Sequence, residues 1–180
     1  GGNLSGQLII GDNNQAYNYT YNVEHGGVLN VAAPPKVEAR PTPVSVKPRP
    51  FKQLLDRQTV LQVLRSTLEQ VLPVEVFAAA GFGKTALMRH LAHDEQMTAG
   101  FADGVVYLSV HQQLAADVLQ SIYDIFYEAS PPFKPSYGQL QQSLRDKEAL
   151  VILNGLALDK EAVDGLLDAM PNCGFVLVSQ

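Results

Sequence analysis

Tryptophan is absent from this 180-residue chain, and cysteine occurs once, at Cys173. A single cysteine cannot form an internal disulfide, so the chain lacks the framework of small secreted domains and is expected to be cytoplasmic. Because Cys173 lies beside an apolar segment, we expect it to be a small core residue. No apolar run approaches the roughly 18 residues of a membrane-spanning helix, and no signal peptide is recognisable. A membrane is therefore not an expected partner.

Basic residues are also scarce. The chain has 13 Lys and Arg against 18 Asp and Glu, a net charge of −5. This balance argues against nucleic acid as a partner, because nucleic-acid binding needs a basic surface. His25, His90, His93 and His111 lack the spacing of a metal site, and we expect them at the surface. No Ser–His–Asp or Cys–His arrangement predicts nucleophilic catalysis.

Residues 1–33 are rich in Gly, Asn and Tyr and hold two charged residues, Asp12 and Glu24. Residues 8–10 form a short β-prone run before a turn cluster at 11–14. Residues 15–23 alternate Tyr and Val with Asn and Thr, which predicts a strand, and residues 28–31 predict a third short strand. So short a segment cannot bury a core alone. We expect it to pair with other copies or with a neighbouring surface.

Residues 34–50 contain six prolines. Proline at this density disfavours helix and sheet, so the segment is predicted to be an extended, semi-rigid spacer that marks a domain boundary. A ligand for a proline-binding domain is the alternative.

Residues 51–180 alternate between strand and helix patterns. The near-continuous apolar strands predict an α/β fold, with a mostly parallel sheet flanked by helices and a ligand at the carboxyl ends of the strands. Because the chain stops directly after a strand, we expect it to be part of a longer protein. The predicted strands cover 74–79, 104–110, 149–153 and 174–179, and the predicted helices cover 51–71, 84–94, 114–127, 137–147 and 160–170.

The most informative segment is AAAGFGKT at residues 78–85, hereafter the glycine loop. It matches the phosphate-binding pattern G-x-x-x-x-G-K-[ST] except at Ala78, and it lies between a strand and a helix. Backbone N–H groups of such a loop surround an anion, and the helix N-terminus adds positive charge. Lys84 is expected to reach the terminal phosphates, and the Thr85 hydroxyl to hold Mg²⁺. A glycine turn with an exposed lysine is the alternative. The predicted nucleotide-binding residues of the loop are Ala80, Gly81, Phe82, Gly83, Lys84, Thr85 and Ala86.

Residues 48–180 resemble the NB-ARC/NACHT-like branch of the STAND NTPases, the nucleotide-switched signalling ATPases of immune and cell-death receptors. The resemblance is carried by Arg57 before a helix, the loop FAAAGFGKTAL and the strands FADGVVYLSV, ALVILNGL and FVLVSQ. It implies a P-loop NTPase fold, ATP or ADP as the ligand, nucleotide-controlled oligomerisation and a role for Arg57 in holding the nucleotide. A solvated charge at a helix start is the alternative for Arg57.

The strand ALVILNGL departs from the family pattern. Asn154 stands where the family has its Mg²⁺-coordinating Asp, and Gly155 where it has a second acid. Because phosphoryl transfer depends on the metal ion and on charge stabilisation, we expect slow hydrolysis with intact phosphate binding, and no catalytic residue is assigned. Asp159 could substitute only if the following loop turned back.

Residues 7–14, QLIIGDNN, resemble the core of RHIM-type and related amyloid signalling motifs. The resemblance implies self-association, or binding of a signalling partner, through residues 1–31. Low charge, Asn and Gln for amide ladders and stacked Tyr all favour cross-β pairing. A β-arm that packs on another domain is the alternative. Three functions are therefore considered: a nucleotide-controlled signalling switch, an AAA+-like ATPase acting on a protein substrate, and a self-assembling scaffold.

Overall fold

The computed structural model describes residues 2–10, 15–23, 35–51 and 56–179. These residues form two compact units, one up to Lys36 and one from Val37 onward.

The first unit contains an antiparallel pair of strands, β1 (Gly2–Ile10) and β2 (Gln15–Val23). The register joins Gly2 to Val23 and Ile10 to Gln15. The strand predicted at 15–23 is confirmed, and β1 begins earlier than the predicted run at 8–10 because β2 supplies partners for the weakly β-prone residues before it. The turn at 11–14 and the strand at 28–31 lie outside the described residues.

The second unit is built on a five-stranded parallel sheet in the order β4-β6-β8-β9-β5. A separate two-stranded pair joins β3 and β7. The strands are β3 (Lys36–Ala39), β4 (Val44–Val46), β5 (Val74–Val76), β6 (Gly104–Ser109), β7 (Tyr127–Ser130), β8 (Ala149–Leu156) and β9 (Gly174–Ser179).

Helices cover both faces of this sheet. They are α1 (Gln58–Leu68), α2 (Lys84–Leu91), α3 (Glu95–Thr98), α4 (Ala115–Phe126), α5 (Tyr137–Leu144) and α6 (Lys160–Ala169). Central strand β8 is buried along its whole length, with Leu150 and Ile152 packed among α1–α3 and Val151 and Leu153 among α4–α6. The predicted α/β architecture with a parallel sheet between helical layers is confirmed.

The expectation that residues 34–50 contain no sheet is wrong. Strand β4 pairs with β6, and the Val44 N–H donates to the Asp103 carbonyl at 2.8 Å. Further along, the Pro48 carbonyl lies 2.7 Å from His93 Nε2. The prolines permit this pairing because Pro41 and Pro43 fall between β3 and β4, and the next proline follows β4.

Several predicted boundaries also shift. Part of the helix expected over 51–71 lies outside the described residues, at 52–55, and α1 covers Gln58–Leu68. The helix expected over 84–94 ends at Leu91, and Asp94 caps a separate helix, α3, with its carboxylate. The strand expected over 74–79 ends at Val76, at the edge of the sheet, and Phe77 is 79% exposed. The helix expected over 114–127 begins at Ala115, and its N-cap Leu114 is 69% exposed.

The remaining predicted elements differ at their ends. The strand expected over 104–110 stops at Ser109, and the strand expected over 149–153 continues to Leu156. Tyr127, expected in a helix, begins β7. The helix expected over 137–147 ends at Leu144, and the helix expected over 160–170 ends at Ala169. The strand expected over 174–179 is confirmed.

Cys173 is buried, as expected for a core residue. Its thiol donates to the Lys147 carbonyl at 3.0 Å and accepts from the Ala149 N–H at 3.4 Å. Burial raises the pKa of the Cys173 thiol to about 12, so the group stays protonated at neutral pH. Among the described residues, no helix has both the length and the hydrophobicity needed to cross a bilayer.

Candidate functional site

The glycine loop turns sharply between β5 and α2. Gly81 and Gly83 adopt left-handed backbone, with φ of 86° and 78°, and Gly83 is the N-cap of α2. No neighbouring atom lies within 4 Å of a Cβ built on either residue, so the requirement for glycine comes from the backbone alone. Ala78 does not have a positive φ. A side chain is therefore tolerated where the pattern has its first glycine.

The amide groups of this loop are available to a ligand. In the described part of the chain, no protein group accepts a hydrogen bond from the backbone N–H of Gly81, Gly83, Lys84 or Thr85. Phe82 donates to the Ala79 carbonyl at a long 3.4 Å. Consecutive N–H groups at the start of a helix attract anions through their partial positive charge. The loop is therefore shaped to bind an anionic group.

Lys84 adds a full positive charge to the loop. Its ammonium group donates to the Ala78 carbonyl and lies 3.5 Å from the Ala79 carbonyl. These hydrogen bonds fold the ammonium back onto the carbonyl groups at the start of the glycine loop.

The loop forms one side of a cleft of about 500 Å³. We call Gly81, Gly83, Lys84 and Thr85 the loop wall, and His111, Asn154 and Gly155 the strand wall. The volume lies within the range of small-molecule sites, roughly 300–1,000 Å³. None of the described residues that line this cleft is a carboxylate. Its other lining residues are Ala79, Ala80, Phe82, Val178 and Ser179.

Asn154 lies near the carboxyl end of β8, next to the loop wall. It is 8% exposed, and its carbonyl accepts from the Val110 N–H at 2.9 Å. Its backbone pairs with Ser109 on β6 and Val178 on β9. Pairing on both sides fixes the residue at the cleft.

Gly155 follows as a bulge in the pairing of β8 with β9 and has a φ of 84°. A Cβ at this position would overlap the imidazole of His111. In sequence, Gly155 occupies the position where the family pattern has a second acid. In the structure it is a bulge residue with no room for a side chain.

The expectation that His111 lies at the surface is confirmed, since the residue is exposed, and it also lines the cleft. The sequence signal that could have identified it is its position, two residues after β6. Parallel strands end at the same edge of a sheet, so a polar residue just beyond β6 falls near the glycine loop.

The other predicted site residues lie differently. Arg57 donates from Nη2 to the Phe82 carbonyl at 3.0 Å and lines a shallow neighbouring depression with residues 80–83, not the cleft itself. Ala86 lies in α2 and does not line the cleft. Asp159 caps α6 by accepting from the Ala162 N–H at 2.8 Å, so the loop does not return it to Asn154.

Metal ligands are few at this site. No cluster of three or more His, Cys, Asp or Glu side chains suited to a metal occurs within the described ranges. The oxygen donors near the glycine loop are neutral ones, among them the Thr85 hydroxyl and the Asn154 amide. A hard cation such as Mg²⁺ prefers oxygen ligands and often takes several from substrate phosphates. The donor set therefore fits a metal that arrives with a phosphate ligand better than a metal held by the protein alone.

Comparison with protein-family models, curated proteins and solved structures gave no match to this chain.

Proposed function

We propose that this chain binds ATP or ADP, together with Mg²⁺, as a signalling switch of the STAND/NB-ARC type. The observation that carries the proposal is the loop wall. Its residues line one cleft and combine left-handed glycines, the Lys84 ammonium and backbone N–H groups that have no acceptor among the described residues. These groups match the charge and the hydrogen-bonding capacity of a di- or triphosphate. The adenine preference and the switch role rest on the sequence resemblance.

Hydrolysis is proposed to be weak or absent. Among the described residues, no carboxylate lines the cleft to order a metal-bound phosphate or an attacking water. Stabilisation of developing charge by a metal and by preorganised groups is the main contribution that proteins make to phosphoryl transfer. An AAA+-like ATPase that works on a protein substrate needs rapid turnover, and robust multiple-turnover hydrolysis would favour it over the switch.

Mg²⁺ is proposed to be held chiefly by the nucleotide. Thr85 would contribute its hydroxyl and Asn154 its amide oxygen, both of which line the cleft. When bound, the ion neutralises phosphate charge, while the chain's own residues orient the phosphates through the loop N–H groups and Lys84. A cytoplasmic location, where nucleotide is abundant, is part of the proposal.

A second candidate function is self-assembly through residues 1–31. The β1–β2 register pairs Leu4 with Tyr21 and Leu8 with Tyr17, and between these pairs it joins Gln7 to Asn18. Apolar–aromatic pairs and an amide-bearing pair thus lie along one ladder. Among the described residues, β1 and β2 pair only with each other, and a two-stranded ladder gains stability from further strands.

Lys84→Ala tests the nucleotide proposal. The loss of a charge-assisted hydrogen bond to phosphate is expected to weaken ATP and ADP binding by roughly 10- to 100-fold in calorimetric titration. Lys134→Ala is the matched control, since Lys134 pairs with Asp117 at the surface, 3.4 Å away, and does not line the cleft. Unchanged affinity in Lys84→Ala would show that the glycine loop is not a phosphate site.

Deletion of residues 1–31 tests the assembly proposal. Self-association at micromolar concentration, measured by light scattering, is expected to disappear while nucleotide affinity remains. A peptide of residues 1–31 is expected to bind thioflavin. Self-association that survives the deletion would exclude this segment as the assembling element.

A further inference from the structure

We infer that His111 binds the terminal phosphate, so that the cleft distinguishes a nucleoside triphosphate from a diphosphate. This inference rests on the proposed nucleotide function. It assigns a role in ligand selection to a residue outside the glycine loop.

The position of His111 within the sheet supports this role. The glycine loop follows β5 at one edge, whereas His111 follows β6, and β8 and β9 lie between these two strands. Both residue sets nevertheless line the same cleft. A phosphate chain gripped by the loop N–H groups and extending over β8 therefore approaches His111 with its outermost group.

Gly155 leaves space for this approach. Its φ of 84° and the absence of a side chain allow the His111 imidazole to lie directly over the bulge of β8. Any L-residue at 155 would meet the ring and would also adopt an unfavourable backbone conformation. Gly155 and His111 thus form a matched pair within the strand wall.

The charge of the cleft also points to phosphate. Among the described residues that line it, Lys84 and His111 carry the ionisable side chains, and none is a carboxylate. An imidazole N–H donates to an anionic oxygen in either of its protonation states. Asn154 supplies no charge for holding a metal ion on the outer phosphate. A direct hydrogen bond from the His111 N–H to that phosphate therefore contributes more to binding.

The test compares affinities for ATP and ADP, both with Mg²⁺, in the full chain and three variants. His111→Ala is expected to weaken ATP binding about tenfold and to change ADP binding by less than about twofold, because only the triphosphate reaches the ring. His111→Gln keeps an N–H donor and is expected to recover part of the ATP affinity. His93→Ala is the matched control, since His93 contacts the Pro48 carbonyl and does not line the cleft.

The other outcomes overturn the inference in separable ways. Equal weakening of ATP and ADP by His111→Ala would mean that the ring only supports the shape of the cleft. No change for either nucleotide in both His111 variants, with Lys84→Ala still weakening the binding of both, would remove His111 from the site and leave the nucleotide proposal standing. Failure of the unmodified chain to bind either nucleotide would overturn both proposals together. Unfolding curves of each variant verify that the fold is retained.

Discussion

The two walls of the cleft differ in what they offer a phosphate. The loop wall presents backbone N–H groups, left-handed glycines and an ammonium, all supplied by one short segment. The strand wall presents an amide, a glycine bulge and an imidazole from two strands that are far apart in sequence, with no carboxylate. Gripping an anion and catalysing its transfer need different groups, so one wall can serve binding while the other limits hydrolysis.

Replacing Gly155 of the strand wall and Gly83 of the loop wall with Ala should distinguish a glycine required by a neighbouring side chain from one required by the backbone alone. Gly155→Ala is expected to lower the free energy of unfolding by about 2–3 kcal/mol, from left-handed strain and displacement of the His111 ring. Gly83→Ala meets no neighbouring atom within 4 Å and should lose only the strain, about 1–2 kcal/mol. Urea unfolding measures both values. Equal losses would show that the ring does not rest on Gly155.

Asn154→Asp should make the strand wall depend on metal. A carboxylate facing phosphates is expected to weaken ATP binding about tenfold in EDTA and to restore it with Mg²⁺, so the ratio of the two affinities rises about tenfold. Asn172→Asp is the matched control, because exposed Asn172 precedes β9 at the opposite end of the sheet. A ratio unaltered in Asn154→Asp would place Asn154 out of reach of the phosphates.

Val71→Gly should give the smallest effect and the opposite sign. Val71 has a φ of 55° just after α1, where the Leu72 N–H donates to the Thr67 carbonyl at 3.3 Å. Left-handed backbone suits glycine at such a helix end, so the variant is expected to gain about 0.5–1 kcal/mol in thermal unfolding.

Val63→Gly is the matched control for that change. Val63 is exposed within α1, and glycine there should lose roughly 0.4 kcal/mol. A loss of stability in Val71→Gly as well would show that glycine relieves no left-handed strain at this helix end.

Much of the fold could be predicted from local pattern. The strands around Val151 and Val176 are near-continuous apolar runs, which indicate a parallel sheet buried on both faces. The helix between them is predicted by the spacing of its apolar residues. Their ends could not be predicted as well, because caps such as Asp94 interrupt a periodic run. Strand β4 could not be foreseen, since a three-residue strand among prolines depends on the free edge of β6.

The two walls of the cleft also differ in how far the sequence predicts them. The residues of the loop wall lie within one short segment, and the groups expected to bind phosphate are mostly its backbone N–H groups, so the sequence pattern is enough to predict it. His111 is distant from the loop wall in sequence, and its place in the cleft depends on the parallel alignment of β6 and β8, which brings it to Gly155. Arg57 donates to the Phe82 carbonyl and does not itself line the cleft, so its role in holding the nucleotide stays a prediction.

Strand β4 leaves the ribosome long before the strand beside which it lies. Val44 pairs with Gly104, sixty residues further along the chain. At a translation rate of roughly 5–20 residues per second, that separation is a wait of about 3–12 s. During that wait β4 has no strand beside it, so the proline-rich segment emerges unpaired and joins the sheet only after β6 has been made.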